Sequence, residues 1–427
     1  MRQVGWVAAM MVAMLVPALA GEMGDQLPSR LYDGSWREVA PEAAALCEEE
    51  QSDACFATGL FTLVSAYEDL AQSLYRHGAT DPGSPGMALL LGMDTGAEKP
   101  GPANPDPEPL SYQDLRAILE AFEDQLTSAS ALFERAGNGE SFVITIDPFQ
   151  VRVDLDGNGA AGEGETLALL VDALGEFAQM PYPDGLPPEG KVKRPPPRPD
   201  TSVGFDNADA IWFAGYSNIV AAPVDLLLAH DFSAFFDAYL HRVFPKAGLP
   251  MQDHSEGGML FMDASSDAWI ADLVAAIHTS DFSVADAPRL AGVLERLKRI
   301  TSLSRRNWEL ILAEDDDNRE LVPSPRQTSI VPSMTVTQET VDAWLATLDT
   351  VDRVLAGELL VPHWRFEQGF DLEAYFTSAT ETDIVMLMTG QGALPFLRDG
   401  PVADAQSFAE ASETLGADWL SYAFWFN

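Results

Sequence analysis

One short segment of the chain places oxygen-bearing side chains at a regular spacing. Residues 154–165 read DLDGNGAAGEGE. Three carboxylates and one amide occupy positions one, three, five and twelve: Asp154, Asp156, Asn158 and Glu165. Gly159 at position six permits a sharp turn, and Ala160 at position seven can offer its backbone carbonyl. Because calcium takes six to eight hard oxygen ligands at about 2.3–2.6 Å, the segment predicts a calcium site.

The order of these residues satisfies the pattern D-x-[DN]-x-[DN]-G-x5-E, and the segment resembles the calcium loop of the EF-hand family. The resemblance covers the twelve residues and a helix expected after them. Two positions depart from the family. Position eight is the small Ala161, and position nine is Gly162, which could contribute only through a water molecule. We therefore expect modest affinity. The alternative is a solvated Asp-Gly-Asn-Gly turn without an ion.

The flanks of the loop indicate how it is positioned. Residues 142–153 are rich in β-branched residues and contain Pro148, which predicts an extended segment rather than the usual entering helix. Apolar residues at helical spacing begin at Thr166, so Glu165 is expected in the first turn of an exiting helix. No second loop follows, so the site is solitary. A structural ion is favoured over a regulatory switch, because sensor loops work through helix pairs that open.

The beginning of the chain predicts export. Arg2 precedes an apolar run from Val4 to Val16, and small residues follow up to Ala20, as in a secretory signal peptide of residues 1–20. A periplasmic or extracellular location lets the two cysteines, Cys47 and Cys55, form a disulfide. A continuous helix would hold them about 12 Å apart, so the pairing requires a break near residues 51–53. Free cysteines are the alternative.

Composition narrows the possible partners. The chain has 427 residues, 47% of them hydrophobic, and a formal net charge of −41. The hydrophobic content is sufficient for a real core. The acidic surface repels phosphate backbones and anionic headgroups, which disfavours nucleic acid and electrostatic binding to membranes. No segment after the signal peptide offers eighteen uninterrupted apolar residues, so we expect no transmembrane anchor.

Periodicity predicts a mainly α protein: a multi-helix globular body with a short extended segment leading into the solitary loop. Four regions are expected: the signal peptide, an N-terminal helical region at 21–180 that includes the loop, a Pro-rich basic linker at 181–201, and a C-terminal helical region at 202–427. The two helical regions could also form one joint domain. The aromatic end at 419–426 is expected to dock on the core.

Catalytic patterns are weaker than the calcium signal. Six histidines are scattered without metal-ligand spacing, and no nucleophile elbow or phosphate loop occurs. The acidic run 314–318 lacks the calcium register and is interpreted as a solvated helix end. The sequence thus favours a calcium-dependent binding or scaffolding protein with an unidentified partner. The alternative is an exported hydrolase, which a cleft uniting carboxylates with His254, His363 or Arg299 would support.

Overall fold

The computed structural model describes residues 21–79, 104–154, 157–162, 165–166, 201–249, 264–329, 335–409, 413–414, 416 and 419–427. The predicted signal peptide lies outside these ranges, as do Asp156, His254, the helix expected after Thr166, and residues 181–200 of the Pro-rich linker.

Most of the described chain is helical, which confirms the predicted mainly α class. The helices are α1 (Glu22–Asp33), α2 (Trp36–Glu48), α3 (Ser52–Arg76), α4 (Tyr112–Gly137), α5 (Asn207–Leu228), α6 (Ser233–Tyr239), α7 (Ala264–His278), α8 (Ala287–Ala313), α9 (Gln338–Leu355), α10 (Leu372–Ser378), α11 (Ile384–Thr389) and α12 (Trp419–Phe426). The strands are short: β1 (Ile144–Ile146), β2 (Val203–Phe205), β3 (His230–Asp231), β4 (Asp281–Val284), β5 (Gly369–Phe370), β6 (Glu381–Asp383) and β7 (Leu397–Arg398).

A disulfide closes the junction between α2 and α3. Helix α2 ends at Glu48 and α3 begins at Ser52, which is the break that the spacing of the cysteines requires. The chain reverses through Glu50, whose φ of 65° lies in the left-handed region. This turn brings the Cα atoms of Cys47 and Cys55 to 4.5 Å, and the two residues form the predicted disulfide.

Three long helices form the centre of the molecule: α5 packs against both α4 and α8. Helix α4 begins with a capping box, in which Ser111 and Asp114 satisfy each other's backbone N–H groups. Helix α5 is buried along much of its length by α4 and α8. By length and composition, α5 is the one helix among the described residues that could cross a membrane, and half of its most apolar stretch is buried.

Phe56 on α3 lies at the centre of the largest core cluster. Its ring centroid is 5.3–6.0 Å from those of four other phenylalanines: Phe133, Phe142, Phe205 and Phe213. Burying a phenylalanine side chain contributes about 1.5–3 kcal/mol. The cluster joins α3 and α4 to the segment before the calcium loop and to the start of α5. Antiparallel pairing of β1 with β2 fixes the register of that segment, with Ile144 opposite Phe205.

The C-terminal part combines small antiparallel sheets with short helices. Strands β3, β4 and β6 form one sheet in that order, and β5 pairs with β7. The aromatic end docks on the core, as predicted: Phe426 is fully buried and meets Trp308 edge to face at 4.7 Å. Trp425 donates its indole N–H to the carbonyl of Leu321 over 2.8 Å.

Candidate metal centre

The first predicted ligand of the calcium loop is buried, although the turn that follows it is exposed. Asp154 is only 6% exposed, whereas residues 157–160 are exposed and 161–162 are half-buried. Asp156, the predicted ligand at position three, lies outside the described residues. The structure therefore shows the two ends of the loop and most of its turn.

Asp154 organises the turn through its side chain. One carboxylate oxygen accepts the backbone N–H of Gly157 and the other accepts that of Gly159, each over 2.9 Å. Both glycines have positive φ values, 72° and 88°, which few other residues adopt without strain. Asn158 accepts the N–H of Ala160 over 3.0 Å. The chain thus wraps around the Asp154 carboxylate.

The other end of the loop is closed by Glu165. Its backbone carbonyl accepts the N–H of Val153 over 2.9 Å, and its carboxylate accepts the N–H of Gly162 over 2.7 Å. An antiparallel bridge joins Arg152 to Thr166. The prediction that Glu165 lies in the first turn of a helix is therefore wrong. Its backbone pairs with the extended segment before the loop, because Val153 donates its N–H at a place where an EF-hand has a helix.

Helix α3 anchors the backbone of Asp154 from both sides. Glu68 accepts the N–H of Asp154 over 2.8 Å, and Gln72 donates its amide to the carbonyl of Asp154 over 2.7 Å. Glu68 is 1% exposed and also forms an ion pair with Arg37 of α2. Burial raises the pKa of the Glu68 carboxyl, although the bonds to Asp154 and Arg37 lower it. The start of the loop is therefore fixed to two helices.

The donor chemistry of the described loop residues fits calcium. The side chains of Asp154, Asn158 and Glu165 supply hard oxygens, as does the carbonyl of Ala160. The carboxylate oxygens of Asp154 face the inside of a glycine turn, where their described partners are backbone N–H groups. The described partners of the Asp154 carboxylate carry no full positive charge, so a cation would supply charge at this position.

A second group of carboxylates lies at the junction of α5 and α8. Oxygen atoms of Asp206, Glu314 and Glu320 lie within 4.8 Å of one another, close enough to hold a metal ion. Asp206 caps the start of α5, and Glu314 follows the last residue of α8. Glu320 is 3% exposed, and its side chain accepts the N–H of Asn318 over 2.9 Å. We refer to these three residues as the carboxyl cluster.

Burial and mutual repulsion favour protonation of the carboxyl cluster. Burial, together with the neighbouring acids, raises the pKa of Asp206 to about 6, that of Glu314 to about 9 and that of Glu320 to about 8. It also raises the pKa of the adjacent Asp209 well above its ordinary value. One buried oxygen of Glu314 has no hydrogen-bond partner among the described residues. At neutral pH the cluster therefore retains protons.

The carboxyl cluster was missed at the sequence level. The sequence predicts a solvated helix end for the run 314–318, which holds for the exposed Asp315, Asp316 and Asp317. Glu314 differs because it is half-buried and meets Asp206, which is more than a hundred residues earlier in the chain. The spacing of acids along the sequence contains no signal for such a contact.

Three arginines on α8 pair with carboxylates. Arg299 bonds Glu134, Arg305 bonds Asp349 and Asp352, and Arg306 bonds Glu309. The His363 ring lies 3.1 Å from the carbonyl of Leu387, in a loop against α11. Among the described residues, Arg299 and His363 thus have local structural partners. His254, the third residue of the hydrolase alternative, lies outside the described ranges.

Comparison with known proteins gives no relative. No protein-family model matches the chain, and no curated protein or solved structure matches it either.

Proposed function

We propose that this chain is an exported calcium-binding protein in which one ion is held by the loop 154–165. The ligands are the side chains of Asp154, Asp156, Asn158 and Glu165 and the backbone carbonyl of Ala160. The ion serves as a structural clip, and the role of the whole protein is binding or scaffolding in the periplasm or outside the cell. Its partner is a protein or small molecule of a class that the loop does not define.

The spacing of the loop carries this proposal. Asp154 and the glycines are sufficient for the turn at 154–159, whereas the calcium pattern also requires a carboxylate at position twelve, and Glu165 supplies it at the closing end of the loop. In the structure, Glu165 lies close to the first residues of the loop because its backbone carbonyl accepts the N–H of Val153. A cation between Asp154 and Glu165 would offset the repulsion between two carboxylates that the backbone holds in the same loop.

The surroundings of the loop support a structural role for the ion rather than a regulatory one. Calcium sensors expose a groove when two flanking helices separate. Here the loop is preceded by an extended segment, and its first ligand is held by α3 through Glu68 and Gln72. Binding would therefore fasten the loop to helices that are already packed, and no large rearrangement is expected.

The disulfide and the N-terminal sequence support export. A disulfide persists in oxidising compartments, and the first twenty residues have the composition of a signal peptide. Calcium is also generally more available there than in the cytosol. The disulfide, the N-terminal composition and the availability of calcium are all consistent with a compartment outside the cytosol.

Isothermal titration tests the proposal directly. The mature protein should bind one calcium ion, and Glu165→Gln should weaken the binding by at least about tenfold. Glu163→Gln is the matched control, because it removes the same charge from loop position ten, which is not a ligand position of the pattern. Equal binding by Glu165→Gln and the unmodified protein would overturn the assignment.

A further inference from the structure

Two hydrophobic side chains are exposed together at the end of α11. Trp364 is 76% exposed and Met388 is 68% exposed, the highest values among the large hydrophobic side chains that the structure describes. The indole N–H of Trp364 donates to the carbonyl of Met388 over 2.9 Å, so the two residues are neighbours. Leu394, in the short turn that follows α11, is 53% exposed. We refer to Trp364 and Met388 as the Trp364 surface, and exposed apolar patches of this kind mark interaction sites.

The carbonyl groups at the end of α11 all have partners within the described chain. A helix leaves its last four carbonyls without partners in the helix itself, and in α11 these belong to residues 386–389. Gly390 donates its N–H to the first of them over 2.9 Å. The side chains of His363, Trp364 and Arg365 bind the next three in order, over 3.1, 2.9 and 2.6 Å. Three consecutive side chains thus replace water at this helix end.

This arrangement suits a surface from which water is excluded. A carbonyl at an exposed helix end can bond water, whereas the same group in an apolar medium needs a donor from the protein. The N–H of Trp364 is used on Met388, so the exposed part of the indole ring is apolar. Pro362 and Pro395 are exposed and have no backbone N–H. The Trp364 surface therefore presents apolar groups and few free hydrogen-bonding ones.

The charge around the Trp364 surface differs from that of the rest of the chain. Residues 359–366 and 384–398 contain no Asp or Glu, although 66 of the 427 residues are acidic. Arg365 is exposed, and its guanidinium lies 5.0 Å from the centre of the Trp364 ring. It bonds the Thr389 carbonyl through Nη1 and forms no ion pair with any described residue. Its other N–H groups can bind a phosphate.

A phospholipid bilayer fits this combination better than a protein does. Protein interfaces carry about one hydrogen bond per 100–200 Å², and the groups that could form them at the Trp364 surface are already used. A second copy of the chain would bring a further net charge of −41, which repels the first. A bilayer interface offers apolar contact without directional bonds, favours tryptophan and places phosphates beside it. Zwitterionic headgroups avoid the repulsion that anionic lipids would meet.

We propose that the Trp364 surface docks on zwitterionic phospholipid bilayers. Trp364 and Met388 enter the interface below the headgroups, and Arg365 binds a lipid phosphate. The contact is peripheral and involves none of the proposed calcium ligands.

Flotation of the calcium-loaded mature protein with phosphatidylcholine vesicles tests the proposal. The protein should float with the lipid. Met388→Ser should lower the partition coefficient by about fivefold, because it removes an apolar side chain and leaves the three side-chain bonds to α11 intact. Trp364→Ser should lower it by at least about tenfold. Leu249→Ser is the matched control, since Leu249 is 54% exposed but bonds α6 through its N–H, and it should float like the unmodified protein.

Fluorescence quenching identifies the side chain that enters the bilayer. Vesicles of brominated phosphatidylcholine should quench part of the tryptophan emission of the bound protein. Trp364→Phe, measured at a lipid concentration at which it is also bound, should lose this quenched part. Quenching that is the same in Trp364→Phe and in the unmodified protein would place another tryptophan at the lipid and overturn the proposal.

Three further outcomes would overturn the proposal: no flotation, equal flotation of Met388→Ser and the unmodified protein, or equal weakening by Met388→Ser and Leu249→Ser. A dimer that forms without vesicles and that Met388→Ser abolishes, measured by analytical ultracentrifugation, would assign the surface to a second copy instead. Calcium titration of each variant should match that of the unmodified protein, which confirms that the variant is folded. If Trp364→Ser fails this control, Met388→Ser decides the test alone.

Discussion

The side chain of Glu68 binds the backbone of Asp154. Its carboxylate accepts the Asp154 N–H over 2.8 Å, although the two residues are 86 positions apart in the chain. The same carboxylate pairs with Arg37, so α2, α3 and the calcium loop meet at one buried side chain. The loop is thus part of the helical body and not an independent surface turn.

This relationship predicts an effect of a residue that is not a calcium ligand. Glu68→Ala should destabilise the protein by about 1–3 kcal/mol, because it leaves the Asp154 N–H and Arg37 without a partner. It should also weaken calcium binding, since Asp154 is no longer positioned. Urea unfolding and calcium titration measure the two effects. Glu68→Gln, which can still accept the N–H, should recover most of the calcium affinity.

The control for Glu68 is Glu42→Ala on α2. Glu42 is exposed, so its removal should change neither unfolding nor calcium binding measurably. If Glu68→Ala behaves like Glu42→Ala, the contact with Asp154 has no role in the site.

Calcium should stabilise the fold without changing its helical content. An ion that binds only the folded chain adds about 2.7 kcal/mol at a free concentration one hundred times its Kd. The midpoint of thermal unfolding should therefore rise with calcium, and far-ultraviolet circular dichroism below the transition should stay constant. Melting curves with calcium and with a chelator measure both. A large change in helicity on calcium addition would favour a switch and contradict the clip.

Periodicity predicted most of the helical body because the sequence pattern and the packing agree. The break before Ser52 follows from the spacing of the two cysteines, and the docking of the aromatic end follows from its composition. The candidate ligands of the loop all lie within twelve residues, so their spacing can be stated from the sequence, and their binding of calcium stays a prediction. The pairing of the Glu165 backbone with Val153 could not be predicted, since helical propensity after Thr166 gives no information about backbone partners before the loop.

The carboxyl cluster gives a pH prediction. Glu314 has its pKa raised from 4.5 to about 9 in the folded chain, so the native state holds a proton that the unfolded chain releases above its ordinary pKa. The contribution of Glu314 to the free energy of unfolding is fully present below about pH 4.5 and decreases as the pH rises to about 9. Glu314→Gln should remove this dependence and stabilise the protein at pH 8 by on the order of 1 kcal/mol.

Urea unfolding at several pH values between 5 and 9 measures this effect. Asp315→Asn is the matched control, because the Asp315 side chain is 92% exposed and has no part in the cluster. It should leave the pH profile unchanged. Parallel profiles for Glu314→Gln and the unmodified protein would show that Glu314 is ionised throughout and that its contact with Asp206 is absent in solution.

No sequence rule could have assembled the carboxyl cluster. Asp206 signals only a helix start, and Glu314 and Glu320 lie in a stretch that is acidic throughout. Their meeting depends on how α8 packs across α5, which brings the end of one helix to the beginning of the other. Contacts of this kind come from tertiary packing, whereas the proposed ligands of the loop lie within twelve consecutive residues.

The most direct test of the calcium assignment is a crystal structure of the mature protein in millimolar calcium, with anomalous data that distinguish the metal from water. We expect one anomalous peak inside the loop, about 2.3–2.6 Å from oxygens of Asp154, Asp156, Asn158 and Glu165 and from the Ala160 carbonyl. An ordered loop that contains only water at that calcium concentration would contradict the assignment.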